Sequence, residues 1–123
     1  MVEVGPRDGL QNEQTHVQTA LKIEFINRLS QTGLKQIEVG AFVSPKMIPQ
    51  MADSRKVVEG IKKEPGVCYD TLVPNMQGFD EALASGVEEI EVFGAASESF
   101  SQKNINCSIS ESFARFTSVC EAA

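Results

Sequence analysis

The chain has no tryptophan, one histidine and only three cysteines, and none of its apolar runs lasts more than a few residues. Each scarcity excludes something. Cys68, Cys107 and Cys120 are odd in number, widely spaced and without a Cys-x-x-Cys pair, which argues against a disulfide framework or a zinc site and fits a reducing compartment. Cys107 stands just before a helix without a nearby histidine, so packing rather than nucleophilic chemistry is expected of it. The lone His16 lies in a loop with no partner cluster and is expected to be solvated. The short apolar runs leave no candidate for a membrane span or a signal peptide. Basic residues are outnumbered, 11 Lys and Arg against 17 Asp and Glu, and the net charge of −6 is scattered along the chain. With no basic patch to neutralise phosphates, nucleic acid is not an expected partner. What is present is ordinary globular composition, 41% hydrophobic and 23% charged over 123 residues. Such a length can bury about 65% of its unfolded surface.

Short β-branched runs alternate with helical periodicity, the pattern of βα units feeding a parallel sheet. Strands are predicted at residues 2–4, 36–39, 67–72 and 89–93. A first helix spans 19–31, with Thr19 as N-cap, Leu21, Phe25 and Leu29 on its apolar face and Gly33 at its end. A second, at 53–61, presents Val57, Val58 and Ile61. A third starts at Pro74-Asn75, carries Phe79 and Leu83 and stops at Gly86. A fourth opens at Ser108 with a capping box to Glu111 and buries Phe113, Phe116 and Cys120. Met47, Met51 and Met76 read as packing residues at a barrel rim.

The segment Gly33-Leu34-Lys35-Gln36-Ile37-Glu38-Val39 recurs as Gly86-Val87-Glu88-Glu89-Ile90-Glu91-Val92, a glycine stop feeding an Ile-Glu-Val strand both times. Alternate strands of a barrel fill the same layers, so an echo two units apart is physically sensible, although short parallel strands also resemble one another by chance. Four βα units are half of eight. An open sheet of that size would leave two unpaired edges, so the expected fold class is α/β, the N-terminal four βα units of a TIM (β/α)8 barrel, with the C-terminal half missing from residues 1–123.

The most informative stretch is Val2-Glu3-Val4-Gly5-Pro6-Arg7-Asp8-Gly9-Leu10-Gln11-Asn12-Glu13, where a short strand runs into a cation and a carboxylate. At the C-terminal mouth of a parallel strand, such a pair can hold a metal ion beside a developing anion. A bare Arg-Asp pair is equally compatible with a solvated loop. Gly5 and Pro6 turn the chain, and Gln11 and Asn12 add amides that can orient an oxygen-rich ligand.

This stretch resembles the first strand and loop of the 3-hydroxy-3-methylglutaryl-CoA lyase family, within the metal-dependent TIM-barrel lyases and acyl transferases that share Arg-Asp-Gly-x-Gln. The likeness runs through the chain in Phe42-Val43-Ser44-Pro45-Lys46, Pro49-Gln50-Met51-Ala52, Phe93-Gly94-Ala95-Ala96-Ser97 and Lys103-Asn104-Ile105-Asn106-Cys107-Ser108. It implies a retro-Claisen cleavage of 3-hydroxy-3-methylglutaryl-CoA to acetyl-CoA and acetoacetate. Asp8 would be a ligand of a divalent cation, Mg2+ or Mn2+, and Arg7 would stabilise the enolate. Glu38 would shape the site by bonding Arg7 or through contacts behind it, and Gln11 would orient substrate oxygens. Lys103 and Asn104 are expected in a polar loop after the fourth strand, contacting the CoA arm near a helix N-terminus. Local cations can hold an anionic CoA ester despite the global charge. Glu91 matches no functional residue of the family and reads as structural.

Two departures stand at the mouth: Ala41 where the family often has Ser, and Met47 where Trp is common. The His-x-His ligands, the asparagine ligand and the Gly-rich loop with its acid cysteine are absent from these residues, so the 123 residues alone are expected to bind metal poorly and turn over little. The resemblance further implies a homodimeric parent, cytoplasmic if bacterial and in the mitochondrial matrix if eukaryotic, with any transit peptide upstream. The rival readings are a Claisen-type condensing synthase or a carboxyltransferase on the same barrel, and a non-catalytic half-barrel module that pairs through its sheet edges.

Overall fold

The computed structural model describes all 123 residues. Three parallel strands, β1 (Gln36–Ala41), β2 (Cys68–Leu72) and β3 (Glu89–Glu91), form a sheet in the order β1-β2-β3. The helices are α1 (Thr19–Leu29), α2 (Ser54–Gly60), α3 (Met76–Ala84), α4 (Glu98–Ile105) and α5 (Ile109–Ala122). The α/β alternation expected from the sequence is therefore present. The first predicted strand is reduced to a single parallel bridge between Glu3 and Ile37. There the Glu3 N–H donates to the Gln36 carbonyl at 3.0 Å and the Glu38 N–H to the Glu3 carbonyl at 2.9 Å. Pro6, which has no N–H, follows too closely for a longer ladder.

One sheet face is apolar. Ile37, Val39, Tyr69 and Val73 pack with Ile26 of α1, Val57 and Val58 of α2, Phe79 of α3 and Val119 of α5 in one core. Gly33 and Gly86 both have positive φ, +88° and +85°. That conformation suits glycine and lets each helix stop directly before its strand, so the sequence echo corresponds to two equivalent helix-to-strand turns that flank β2.

Helix faces differ from expectation in three places. On α1, Ile23, Ile26 and Leu29 face the core while Leu21 is 55% exposed, because two apolar stripes compete on this helix and only one meets α2 and β1. Thr19 is not the N-cap; Gln18 holds that position, and the Thr19 hydroxyl donates to Asp53 Oδ2 at 2.6 Å. On α5, Phe116 and Val119 are buried, whereas Phe113 is 64% exposed and Cys120 is exposed too. Leu83 of α3 likewise faces out. The caps at Asn75 and Ser108 form as read: Asn75 Oδ1 accepts from the Gly78 N–H at 2.9 Å, and Ser108 Oγ from the Glu111 N–H at 3.0 Å.

Gly78 sits where α3 meets the chain after β1, and a Cβ there would collide with the Phe42 carbonyl oxygen and lie 3.2 Å from Pro74 Cδ. Gly78→Ala is expected to destabilise the fold by about 1–3 kcal/mol through overpacking. Urea denaturation measures this, and an unchanged midpoint would contradict the packing described.

Candidate functional site

The loop after the Glu3 bridge is held by one acceptor. The N–H groups of Arg7, Asp8 and Gly9 all donate to the Val4 carbonyl, at 3.1, 2.7 and 3.3 Å, winding Gly5–Gly9 into a wide helical turn with Pro6 buried beneath it. This turn directs the Arg7 side chain, 17% exposed, back over the sheet. Arg7 Nε donates to Glu38 Oε1 at 2.5 Å, and Nη1 lies 3.3 Å from Asp8 Oδ1. One guanidinium thus links the carboxylates of two segments 30 residues apart in sequence, and the structure brings Arg7, Asp8 and Glu38 together. The Asp8 side chain is 54% exposed and only Oδ1 takes a hydrogen bond, which leaves Oδ2 without a protein partner as a hard oxygen donor suited to a divalent cation. The Asn12 side-chain amide donates to the Asp8 carbonyl at 2.8 Å and braces the turn.

Glu38 is 1% exposed and does not stand alone. In the parallel register Glu38 pairs with Asp70, Asp70 with Glu89, and Leu72 with Glu91. Since side chains alternate along a strand, Gln36, Glu38, Cys68, Asp70, Glu89 and Glu91 share the face opposite the apolar core. Glu38, Asp70 and Glu91 each bring a carboxylate oxygen within 4.8 Å of the other two. That much negative charge beside a single guanidinium raises the cost of ionising Asp70 and Glu91. Burial, with the Glu38 and Glu89 charges adding to it, pushes Asp70 up to about 6 despite the hydrogen bond from Gln36. Burial and the Asp70 and Glu38 charges push Glu91 up to about 7. Asp70 Oδ2 accepts from Gln36 Nε2 at 2.7 Å, while buried Oδ1 has no partner. Burial and the hydrogen bond it donates to Glu89 Oε2, 2.9 Å, push the Cys68 thiol up to about 12, which makes it a poor nucleophile.

The register shifts between Glu38 and Gly40, leaving Val39 as an extra residue on β1. The bulge flips the following residues, so Ala41 packs with Leu72 and Met51, beside Leu10, Ile48 and Phe93, in a small apolar cluster past the charged layer. Met51 thus packs as expected, whereas Met47 is exposed.

Gln11 is half-buried and its Oε1 has no hydrogen-bond partner. Lys103 and Asn104 are exposed, but not in a loop. They occupy the last turn of α4, a helix the sequence reading lacked, which starts where Ser97 Oγ accepts from the Phe100 N–H and ends at Asn106 with φ +53°. No hydrogen bond joins either residue to Arg7, Asp8 or Glu38. His16 is exposed and Cys107 is buried, as expected. Asp70 and Glu91 were missed as members of the charged face. The available signal was charge recurring every second residue in strands that should be apolar on both faces if they lie in a fully buried parallel sheet.

Comparisons with known proteins place this geometry in context. The HMGL-like family profile matches residues 1–123. The chain is 63% identical over its whole length to human cytoplasmic 3-hydroxy-3-methylglutaryl-CoA lyase, of which it covers 33%. Mitochondrial and bacterial lyases are also among its relatives. It superposes on the crystal structure of hydroxymethylglutaryl-CoA lyase from Pseudomonas aeruginosa with a TM-score of 0.95 at 60% identity, covering 99% of this chain and 41% of that one. It matches an Acinetobacter baumannii HMG-CoA lyase in complex with coenzyme A and 3-methylmalate with a TM-score of 0.95 at 40% identity, covering 98% of this chain and 40% of that one. The chain thus spans about a third to two-fifths of the length of the relatives it matches.

The raised Asp70 carboxyl predicts a pH dependence of stability. A group harder to ionise in the fold than in the unfolded chain supports folding most fully below the ordinary value of 3.8 and withdraws that support as pH rises through about 6. Asp70→Asn removes the penalty while keeping an oxygen for Gln36. Urea unfolding should therefore show the variant gaining stability over wild type between about pH 4 and pH 7.5, and a gap that is constant or runs the other way would contradict the buried charge.

Proposed function

The chain belongs to the HMGL-like family, and we propose that the whole protein carrying it is a hydroxymethylglutaryl-CoA lyase, cleaving 3-hydroxy-3-methylglutaryl-CoA to acetyl-CoA and acetoacetate. The observation that carries this reading is the Arg7 guanidinium, held at 2.5 Å by Glu38 and at 3.3 Å by Asp8 at the mouth of the sheet. Retro-Claisen cleavage transfers the electrons of a carbon–carbon bond onto a thioester carbonyl, and a fixed cation aimed at that oxygen lowers the barrier most.

In this reading Arg7 stabilises the departing enolate, with two N–H donors engaged by carboxylates and the rest of its fork left for substrate. Glu38 fixes the plane of the guanidinium from below. Asp8 offers its unpartnered Oδ2 to a divalent cation, Mg2+ or Mn2+, which when bound supplies positive charge for the substrate's hydroxyl and carbonyl oxygens. Gln11, whose buried Oε1 lacks a partner, accepts from a polar hydrogen of the substrate or from its own loop once the site is filled. Lys103 and Asn104, exposed at the end of α4, serve the CoA arm. The Acinetobacter relative with coenzyme A bound supports a CoA thioester as the substrate class.

The test uses the purified whole protein, hydroxymethylglutaryl-CoA and Mg2+ or Mn2+, with acetoacetate release as the readout and a 2-oxo acid plus acetyl-CoA as the control for a condensing relative. Arg7→Gln is expected to lower kcat by about 10²–10³, the cost of losing one preorganised electrostatic donor, with a smaller effect on KM. Wild-type protein that releases no acetoacetate, or an Arg7→Gln variant with full kcat, would sink this assignment.

A further inference from the structure

The charged face holds one guanidinium against three carboxyl groups whose oxygens crowd within 4.8 Å. Glu38 is committed to Arg7, and Asp70 is engaged from one side by Gln36. Glu91 has neither a cation nor an amide of its own. Carboxyl oxygens of Glu91 and Glu38 lie within 4.8 Å of each other, and acidic groups crowded in this way are accommodated most easily when one of them carries a proton.

Resting on the lyase reading above, we propose that Glu91 is a positioning residue for the Arg7–Glu38 pair, its protonated carboxyl donating a hydrogen bond to the Glu38 carboxylate. The neutral donor leaves Glu38 with the single charge that Arg7 pairs with. It also restrains the glutamate, so Glu38 is held by two donors and Arg7 keeps one orientation.

The surroundings set when this arrangement fails. The charged groups facing Glu91 are Arg7 from the loop, Glu38 from β1 and Asp70 from β2, with Glu89 two residues earlier on its own strand but turned to Gln36 and Cys68. Partial burial, together with two carboxylates against one guanidinium, favours the protonated form up to about pH 7. As pH rises further, the Glu91 proton is lost. Glu91 and Glu38 then repel, and Arg7 becomes divided between two carboxylates.

Two readouts on the whole protein test this. In infrared spectra without substrate, a protonated-carboxyl band should titrate near neutral pH. Glu91→Gln should abolish it, and Asp70→Asn should keep it but shift it to lower pH, since one neighbouring negative charge is gone. In kinetics, wild-type kcat/KM should fall about tenfold by one pH unit above the apparent pKa of its basic limb. Glu91→Gln, whose amide still donates to Glu38, should cost no more than several-fold in kcat and move that limb upward by more than one unit. Glu91→Leu, with no donor, should lower kcat at least tenfold at every pH. A merely structural role would leave the limb where it is. A missing band, a band that survives Glu91→Gln, or a limb identical in wild type and Glu91→Gln overturns the proposal. Absence of all lyase activity would instead refute the functional assignment, and the infrared result would still decide where the proton sits.

Discussion

The arrangement at the N-terminal end depends on a single buried ion pair between Arg7 and Glu38. A glutamate 1% exposed on β1 would be too costly to keep charged without a partner, and Arg7 is that partner. The partnership exists only because the preceding loop is locked: Val4 accepts three amides, Pro6 is buried, and the bridge at Glu3 ties the segment to β1. Removing two ions from water makes such pairs weak sources of net stability, so the contact is better understood as a device for orientation. It turns a flexible side chain into a cation held in place at two of its nitrogens.

The two faces of the sheet divide the labour. Ile37, Val39, Tyr69 and Val73 join the helices in a core that supplies the hydrophobic stabilisation. The opposite face carries Gln36, Glu38, Cys68, Asp70, Glu89 and Glu91, an expensive surface held together by amide, thiol and guanidinium hydrogen bonds. The bulge at Val39 separates this layer from the apolar cluster around Ala41, Met51 and Leu72. A charged layer is thereby followed by an apolar one, with Glu38 and Asp70 buried. That raises the energetic weight of each proton and ion pair inside. A second pair, Lys22 to Asp53 at 2.7 Å, does comparable work between α1 and α2. Burial raises the Asp53 carboxyl, but the hydrogen bonds from Lys22 and Thr19 outweigh that and hold it below the usual range.

Much of this was legible along the chain, for local reasons. Turns that need positive φ announced themselves as Gly33 and Gly86, and caps that need a side-chain oxygen as Asn75 and Ser108. The strands at 36, 68 and 89 followed from β-branched and aromatic residues between those turns. Helix faces were less legible because several helices are apolar on more than one side. On α1 the stripe through Leu21 and Phe25 scores as well as the stripe through Ile23 and Ile26, and only contact with α2 and β1 chooses between them. On α5, Phe113 and Phe116 fall three residues apart and one of them faces out. Helix α4 escapes a reading by apolar periodicity because its polar composition, Glu98 to Asn104, hides a helix defined by caps at both ends rather than by an apolar stripe.

The sequence by itself determined the alternation of helix and strand, the glycine and cap positions, and the pairing of a cation with a carboxylate after the first bridge, because each depends on residues within a few positions of one another. It also carried the family likeness through ordered motifs. The tertiary structure alone decided that Arg7 spends its Nε on Glu38, that Val39 bulges, and that Asp70 and Glu91 crowd the same face. Register and burial are properties of strands brought side by side, and the charge that one strand places is felt only when its neighbours place theirs.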